Sequence, residues 1–128
     1  MRLLLDSHAL IWAMDDPSRL GQQAAEELAN PANDLYLSAG TIWEIAIKVG
    51  LKKLALSLPF RIWMSQAISE LGLVALPITV ECADAQIALP SHHRDPFDRL
   101  LAAQARSEKV VLVSADVVFD LYGVQRLW

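Results

Sequence analysis

Apolar positions along the chain fall into two rhythms. RLLL (2–5), LYLS (35–38), LVAL (73–76) and VVLV (110–113) are short and continuously apolar, without the alternation of a strand that has one wet face. Such runs predict strands buried on both faces, and therefore a parallel sheet. Between them lie stretches with helical spacing: HALIWAM, broken by Asp16-Pro17-Ser18; SRLGQQAAEELAN, with Ser18 as N-cap and a stop at Asn30-Pro31; and AGTIWEIAIKVG, stopping near Gly50. LPFRIWMSQAISELG comes next, with Pro59 near its start and Gly72 just past its end, and then TVECADAQIAL, capped by Thr79 and stopped by Pro90. A further helix opens in DPFDRLLAAQA, VVFDLYG reads as a short helix or turn, and VQRLW as an edge strand. The expected fold is α/β, a three-layer α/β/α sandwich around a central, mainly parallel sheet of four or five strands. One domain is expected to cover residues 1–128.

Composition narrows the function. The chain has 128 residues, 54% hydrophobic and 20% charged, enough for a substantial core. No apolar run approaches the roughly 18 residues of a membrane span, and MRLLLD meets an acid too early for a signal-peptide core. A cytoplasmic location is the default expectation, with no membrane partner. Cys82 is the single cysteine, which leaves neither a disulfide framework nor a cysteine metal site and is most simply a small buried residue. The net charge is −4, the wrong sign for a general, charge-driven nucleic-acid binder. A phosphate-bearing substrate would need a local basic patch or a metal ion to reverse the field. From Ala46 to Ser69 the cations Lys48, Lys52, Lys53 and Arg61 occur without an acid, as a patch of that kind or as a solvated helix flank.

Ligands of open α/β sheets bind beyond the carboxyl ends of the strands. Asp6 ends the first strand run, Asp116 comes after the fourth, Glu44 lies one turn into the helix after the second, and Asp95 and Asp98 open the helix that leads into the fourth. Each has a structural reading. Asp6 can cap the helix that begins at Ser7, and Asp116 the turn beyond it. Glu44 can pair with Lys48 at i, i+4, and Asp95 before Pro96 has the form of an N-cap with Asp98 at N3. Taken jointly, Asp6, Asp98 and Asp116 fall where a doubly wound sheet brings them together, and Glu44 can reach the same edge. Clustered carboxylates repel unless a cation sits among them, and an all-oxygen set favours Mg²⁺ or Mn²⁺ over zinc. Such a site can activate water for in-line attack on a phosphodiester. His8 is expected to be structural or to touch a substrate, and His92 and His93 to be loop residues near phosphate. Trp12, Trp43, Trp63 and Trp128 sit in apolar contexts suited to core or interface.

LLLDSHALIW, SAGTIWEIAIK, HHRDPFDRLLAAQA and LVSAD, in this order, resemble a PIN-domain ribonuclease, and more narrowly the VapC-type toxins of bacterial toxin–antitoxin modules. The resemblance runs from Arg2 to Trp128. It implies that Asp6, Glu44, Asp98 and Asp116 are the catalytic, metal-binding acids. It further implies Mg²⁺- or Mn²⁺-dependent endonucleolytic cleavage of an RNA substrate, inhibition by a cognate antitoxin protein, and a homodimer. Ser7 stands where the first motif often has Thr, and Ser114 where the fourth often has Thr; both keep a hydroxyl. Three rivals share the expected fold class. A haloacid-dehalogenase-like phosphatase wants a second Asp two residues after Asp6, where this chain has His8. A catalytically silent binding module would not need all four acids. A response-regulator receiver wants an Asp after the third strand, where Pro77 stands instead.

Overall fold

The computed structural model describes residues 1–92 and 94–128. Five strands form one parallel sheet: β1 (Arg2–Leu5), β2 (Asp34–Ser38), β3 (Val74–Leu76), β4 (Val111–Val113) and β5 (Arg126–Leu127). Their order is β3-β2-β1-β4-β5, with β1 central. Leu3 stands opposite Leu35 on one side and Val111 on the other. The helices are α1 (Ser7–Asp15), α2 (Gln22–Ala29), α3 (Ala39–Gly50), α4 (Phe60–Leu71), α5 (Val80–Ile87) and α6 (Pro96–Glu108). None of the described helices is long and apolar enough to cross a membrane.

Side chains of β1 point alternately to the two faces, and each face has its own core. Leu3 and Leu5 pack with Leu10 of α1, Ala24 of α2, Ile45 of α3 and Trp63 and Met64 of α4. Leu4 packs on the other side with Leu112 of β4, Leu101, Ala102 and Ala105 of α6, and Phe119 and Tyr122. This double burial explains the continuous apolar runs, and the three-layer α/β expectation is met with five strands, all parallel. VQRLW supplies the edge strand β5, and VVFDLYG a 3-10 turn over Val117–Tyr122. Cys82 is buried and free, its thiol bonded to the backbone of Thr79.

The stretch 18–30 is a correction. Ser18 does not cap a helix. Its hydroxyl donates to Asp16 Oδ1 (2.6 Å) within a 3-10 turn at Pro17–Arg19, while Arg19 lies over the Trp12 ring at 4.5 Å. Leu20 is extended, and α2 begins only at Gln22, after Gly21. A close contact explains that glycine, since a Cβ there would come within 2.6 Å of Trp128 atoms.

Candidate active site

Reversal of strand order creates a crevice. The chain passes from β1 outward through β2 to β3, then returns to the far side of β1 with β4, so the carboxyl ends of β1 and β4 flank the switch point. Asp6 directly succeeds β1, and Asp116 lies three residues beyond β4. A cavity of about 130 Å³ opens there, lined by Asp6, Ser7, His8, Glu44, Lys48, Asp95, Asp98, Asp116 and Phe119. The four acids singled out in the sequence are thus brought together, with Asp95 as a fifth.

Three of the five hold their positions through helix starts. Asp6 Oδ1 accepts from the backbone N–H of Ala9 (2.8 Å). Asp95 Oδ1 accepts from Phe97 N–H (2.8 Å) and Asp98 N–H (3.3 Å), with Pro96 at the first helical position. Asp116 Oδ1 accepts from Val118 N–H (3.0 Å). The capping expectations are therefore met, and they coexist with membership of the cavity: an N-cap spends one carboxylate oxygen on the backbone and fixes the side chain's direction. Ser114 ties two of these loops together. Its hydroxyl donates to Asp6 and accepts from the Asp116 N–H (3.0 Å).

Glu44 arrives differently. Ser38 caps α3 by accepting from Gly40 N–H (3.1 Å), and Gly40, Thr41, Glu44 and Ile45 form the helix's buried stripe at spacings of three and four. α3 lies close against α6 here: a Cβ at Gly40 would sit 2.4 Å from Leu100 Cδ2. Glu44 is 3% exposed. Its Oε2 accepts from Lys48 Nζ at 2.6 Å, while Oε1 is buried with no hydrogen-bond partner among the described residues. The i, i+4 pair expected on a helix surface exists, but its acid is inside.

Burial pushes the Asp6 carboxyl above its ordinary range. The Ser114 hydroxyl, the Ala9 N–H and the His8 charge oppose the shift, and Glu44's charge adds to it. Desolvation alone would lower Lys48, but the hydrogen bond and charge of Glu44, with smaller contributions from Asp95 and Asp98, outweigh it and hold the ammonium above the usual lysine range. Among the described residues, no three histidines, cysteines or acids form a group ready to hold a metal ion as they stand.

Other expectations sort out by position. His8 is exposed at the cavity and stacks on Trp12 (ring centroids 5.3 Å). His92 packs edge-on against Tyr122, away from the cavity-lining set; His93 lies outside the described residues. Trp63, expected in core or interface, belongs to the core: it is 1% exposed and donates Nε1–H to Asp15 (2.9 Å), while its neighbour Ile62 faces out. Sequence spacing marks Lys48 as Glu44's partner and as part of a basic stretch, not as a wall of the cavity. The i, i+4 relation holds that signal once Glu44 is known to be buried. Arg99 carries no such mark in the sequence: its guanidinium donates to the carbonyls of Gln86 (2.7 Å), Leu89 (3.2 Å) and Pro90 (3.0 Å), fastening the end of α5 to the first turns of α6.

A carboxylate cavity at this edge of this fold has relatives. The model of the PIN domain matches residues 3–124. The chain belongs to the PIN-domain family. Within it, the chain is 32% identical over 115 residues, 89% of its own length and 86% of the relative's, to Ribonuclease VapC22 of Mycobacterium tuberculosis. Solved structures share the fold at lower identity. The crystal structure of VapBC2 from Rickettsia felis bound to a promoter DNA fragment matches with a TM-score of 0.75 and 17% identity, over 99% of this PIN chain and 98% of that one. DNA-bound VapBC from Salmonella typhimurium matches with a TM-score of 0.71 and 18% identity, over 99% and 97%.

Proposed function

We propose that this PIN-domain chain is a divalent-metal-dependent endoribonuclease, the toxin of a toxin–antitoxin pair held silent by its antitoxin. The observation that carries the reading is the gathering of Asp6, Glu44, Asp98 and Asp116, with Asp95, around one cavity at the switch point of the sheet. Likeness to a ribonuclease supports RNA as the substrate, and likeness to VapBC complexes supports an antitoxin partner.

The residues fit a hard divalent cation. The donors are carboxylate oxygens, cysteine and thiolate are missing from the cavity, and Glu44 carries a buried oxygen that nothing described satisfies. Asp6, Glu44, Asp98 and Asp116 would hold Mg²⁺ or Mn²⁺, which lowers the pKa of water and balances charge on a phosphodiester under in-line attack. The chain's own part is orientation. Asp6 and Asp116 are aimed by their caps and by Ser114; Asp95 aims the helix start that carries Asp98; Glu44 is presented by the buried stripe of α3. Phe119, 1% exposed, gives the cavity an apolar wall. His8, exposed at the rim and stacked on Trp12, is placed to meet the substrate.

Exposed apolar side chains support protein partners. Trp43, Leu51, Leu58 and Ile62 stay accessible on α3, α4 and the segment between, and Val74, Ile78 and Val80 around β3 and the start of α5. A soluble protein rarely leaves so much apolar surface unused, which supports an antitoxin segment and a second copy of the chain as its covers. A cytoplasmic location and a single nuclease domain belong to the same reading.

The test is cleavage of labelled RNA by the purified chain. Cleavage with Mg²⁺ or Mn²⁺ that stops in EDTA is expected; full cleavage in excess chelator sinks the metal mechanism, and phosphate release from small monoesters with RNA intact returns the phosphatase rival. Sedimentation should show a dimer at micromolar concentration, and the cognate antitoxin should abolish cleavage. A strict monomer, or an uninhibited complex, removes those parts.

A further inference from the structure

One side chain lining the acidic cavity carries a fixed positive charge, and it comes from the protein's own α3. Lys48 Nζ is seated on Glu44 Oε2 at 2.6 Å, inside the same wall as Asp6, Asp95, Asp98 and Asp116. The two partners differ sharply in accessibility: the Glu44 side chain is 4% exposed, the Lys48 side chain 38%. The acid is therefore fixed in the protein, whereas the ammonium, on a flexible four-carbon stem at the last turn of α3, borders solvent. Glu44 has no other described donor, since its second oxygen is orphaned. A buried carboxylate with one mobile cationic partner and one free oxygen is built for exchange of that partner.

We propose that Lys48 is the cavity's resident counter-cation: it neutralises Glu44 while no divalent ion is bound, gives Glu44 up when one binds, and then serves as a contact for the RNA phosphate. The inference rests on the metal reading above. A divalent cation taken by the free Glu44 Oε1 would share one carboxylate with the ammonium on Oε2, and the two cations repel each other, so metal binding favours release of Lys48. Its charge is then left at the mouth of a site whose substrate is an anion, with Lys52 and Lys53 exposed a few residues further along the chain. A point charge with three rotatable donors suits that second task, because it can meet a phosphate oxygen from many directions.

The sign of one measurement separates this role from a structural one. Mn²⁺ binding to the full-length chain, without RNA, is read by electron paramagnetic resonance. Lys48→Met removes the competitor and should tighten Mn²⁺ about fivefold, the scale of a partly exposed ion pair; Lys48→Arg should stay within about twofold of the parent. If Lys48 only braces the fold, its loss should loosen the site, and unchanged or weaker Mn²⁺ binding by Lys48→Met overturns the proposal. In the unsubstituted chain, acetylation of the Lys48 amine, measured against Lys52 and Lys53, should rise several-fold on Mg²⁺ saturation; equal labelling with and without Mg²⁺ overturns it even if Lys48→Met does not fold. At saturating metal, Lys48→Met should raise KM for RNA with kcat little changed, and an unchanged KM removes the phosphate contact. An unsubstituted chain that binds no Mn²⁺ overturns the metal reading itself, and this inference with it.

Discussion

The two ends of α1 carry two aspartates of opposite character. Asp15, its last residue, is surrounded by fixed neutral donors: Oδ1 accepts from the Ser57 hydroxyl (2.6 Å) and the Trp63 indole N–H (2.9 Å), and Oδ2 from the Ser57 backbone N–H (3.0 Å). Desolvation opposes ionisation there, but the three donors together win and the carboxyl lies below its ordinary range. Asp6, about 13 Å away along the nine-residue helix, lies above it, because burial outweighs the few donors it has. Glu44 beside it has one oxygen on a movable lysine and one on nothing described. A carboxylate that the fold uses as a fastener is saturated by donors that cannot leave. One kept for a ligand, the role proposed for Asp6 and Glu44, is left short.

That contrast can be broken by substitution, and Glu44→Gln should have the largest effect. It keeps the shape and removes the charge, and RNA cleavage should fall by more than the roughly 100-fold that the loss of an outer supporting partner costs. Cleavage within tenfold of the parent would show that Glu44 is a fastener too. Asp98→Asn and Asp95→Asn sharpen the comparison inside one helix start. Asn caps about as well as Asp, so Asp95→Asn should lower activity by no more than roughly 10–100-fold, whereas Asp98→Asn should lose more and depend less on Mg²⁺. The reverse order, read across a Mg²⁺ titration, would exchange the two roles.

Gly40→Ala comes next. The new methyl meets Leu100 and pries α3 from α6, separating Glu44 from the helix of Asp98; about tenfold lower kcat is expected, smaller than any loss from the ligands themselves. Activity equal to the parent would mean that Leu100 simply turns aside. Asp15→Asn should be the mildest, with cleavage untouched and stability lower by about 1 kcal/mol, since exposure weakens its bonds. Its pH dependence has a definite sign. Asp15's folded value lies below the unfolded one, so its contribution is complete above the ordinary aspartate range and is lost as pH falls through the folded value. Melting curves of the parent and Asp15→Asn should differ at pH 7 and converge in acid; a gap that widens in acid would contradict the fastening role.

Much of this is legible in the sequence, because local rules and the fold agree. The third helix runs over 39–50 as its periodicity and Gly50 indicate, and Asp95-Pro96 caps α6 as that pair does elsewhere. Continuous apolar runs point to a doubly covered sheet. The features that escape such reading depend on contacts far apart in the chain. Ser18 has the chemistry of an N-cap, yet Trp128 packs against Gly21 and Arg19 covers Trp12, so the helix starts later. Trp63 turns inward because Asp15, 48 positions earlier, offers its N–H an acceptor. The cavity's four acids can be named from motif order, but that Glu44 is inside follows from the packing of α3 against α6, an approach no spacing rule contains.

The position of β1 has a consequence for when the proposed nuclease can first become active. Leu3 finds one neighbour at Leu35 but the other only at Val111, and Asp98 and Asp116 ride on the segments that bring that second neighbour in. A chain emerging from the ribosome can pair β1 with β2 once residues 6–33, with α1 and α2, have followed, but the pairing with β4 must wait for Val111. Until then the half-made sheet has Asp6 and Glu44 and nothing across from them. On the proposed function, the order of synthesis delays cleavage until Asp98 and Asp116 have been translated, and a product that stops before them should be inert.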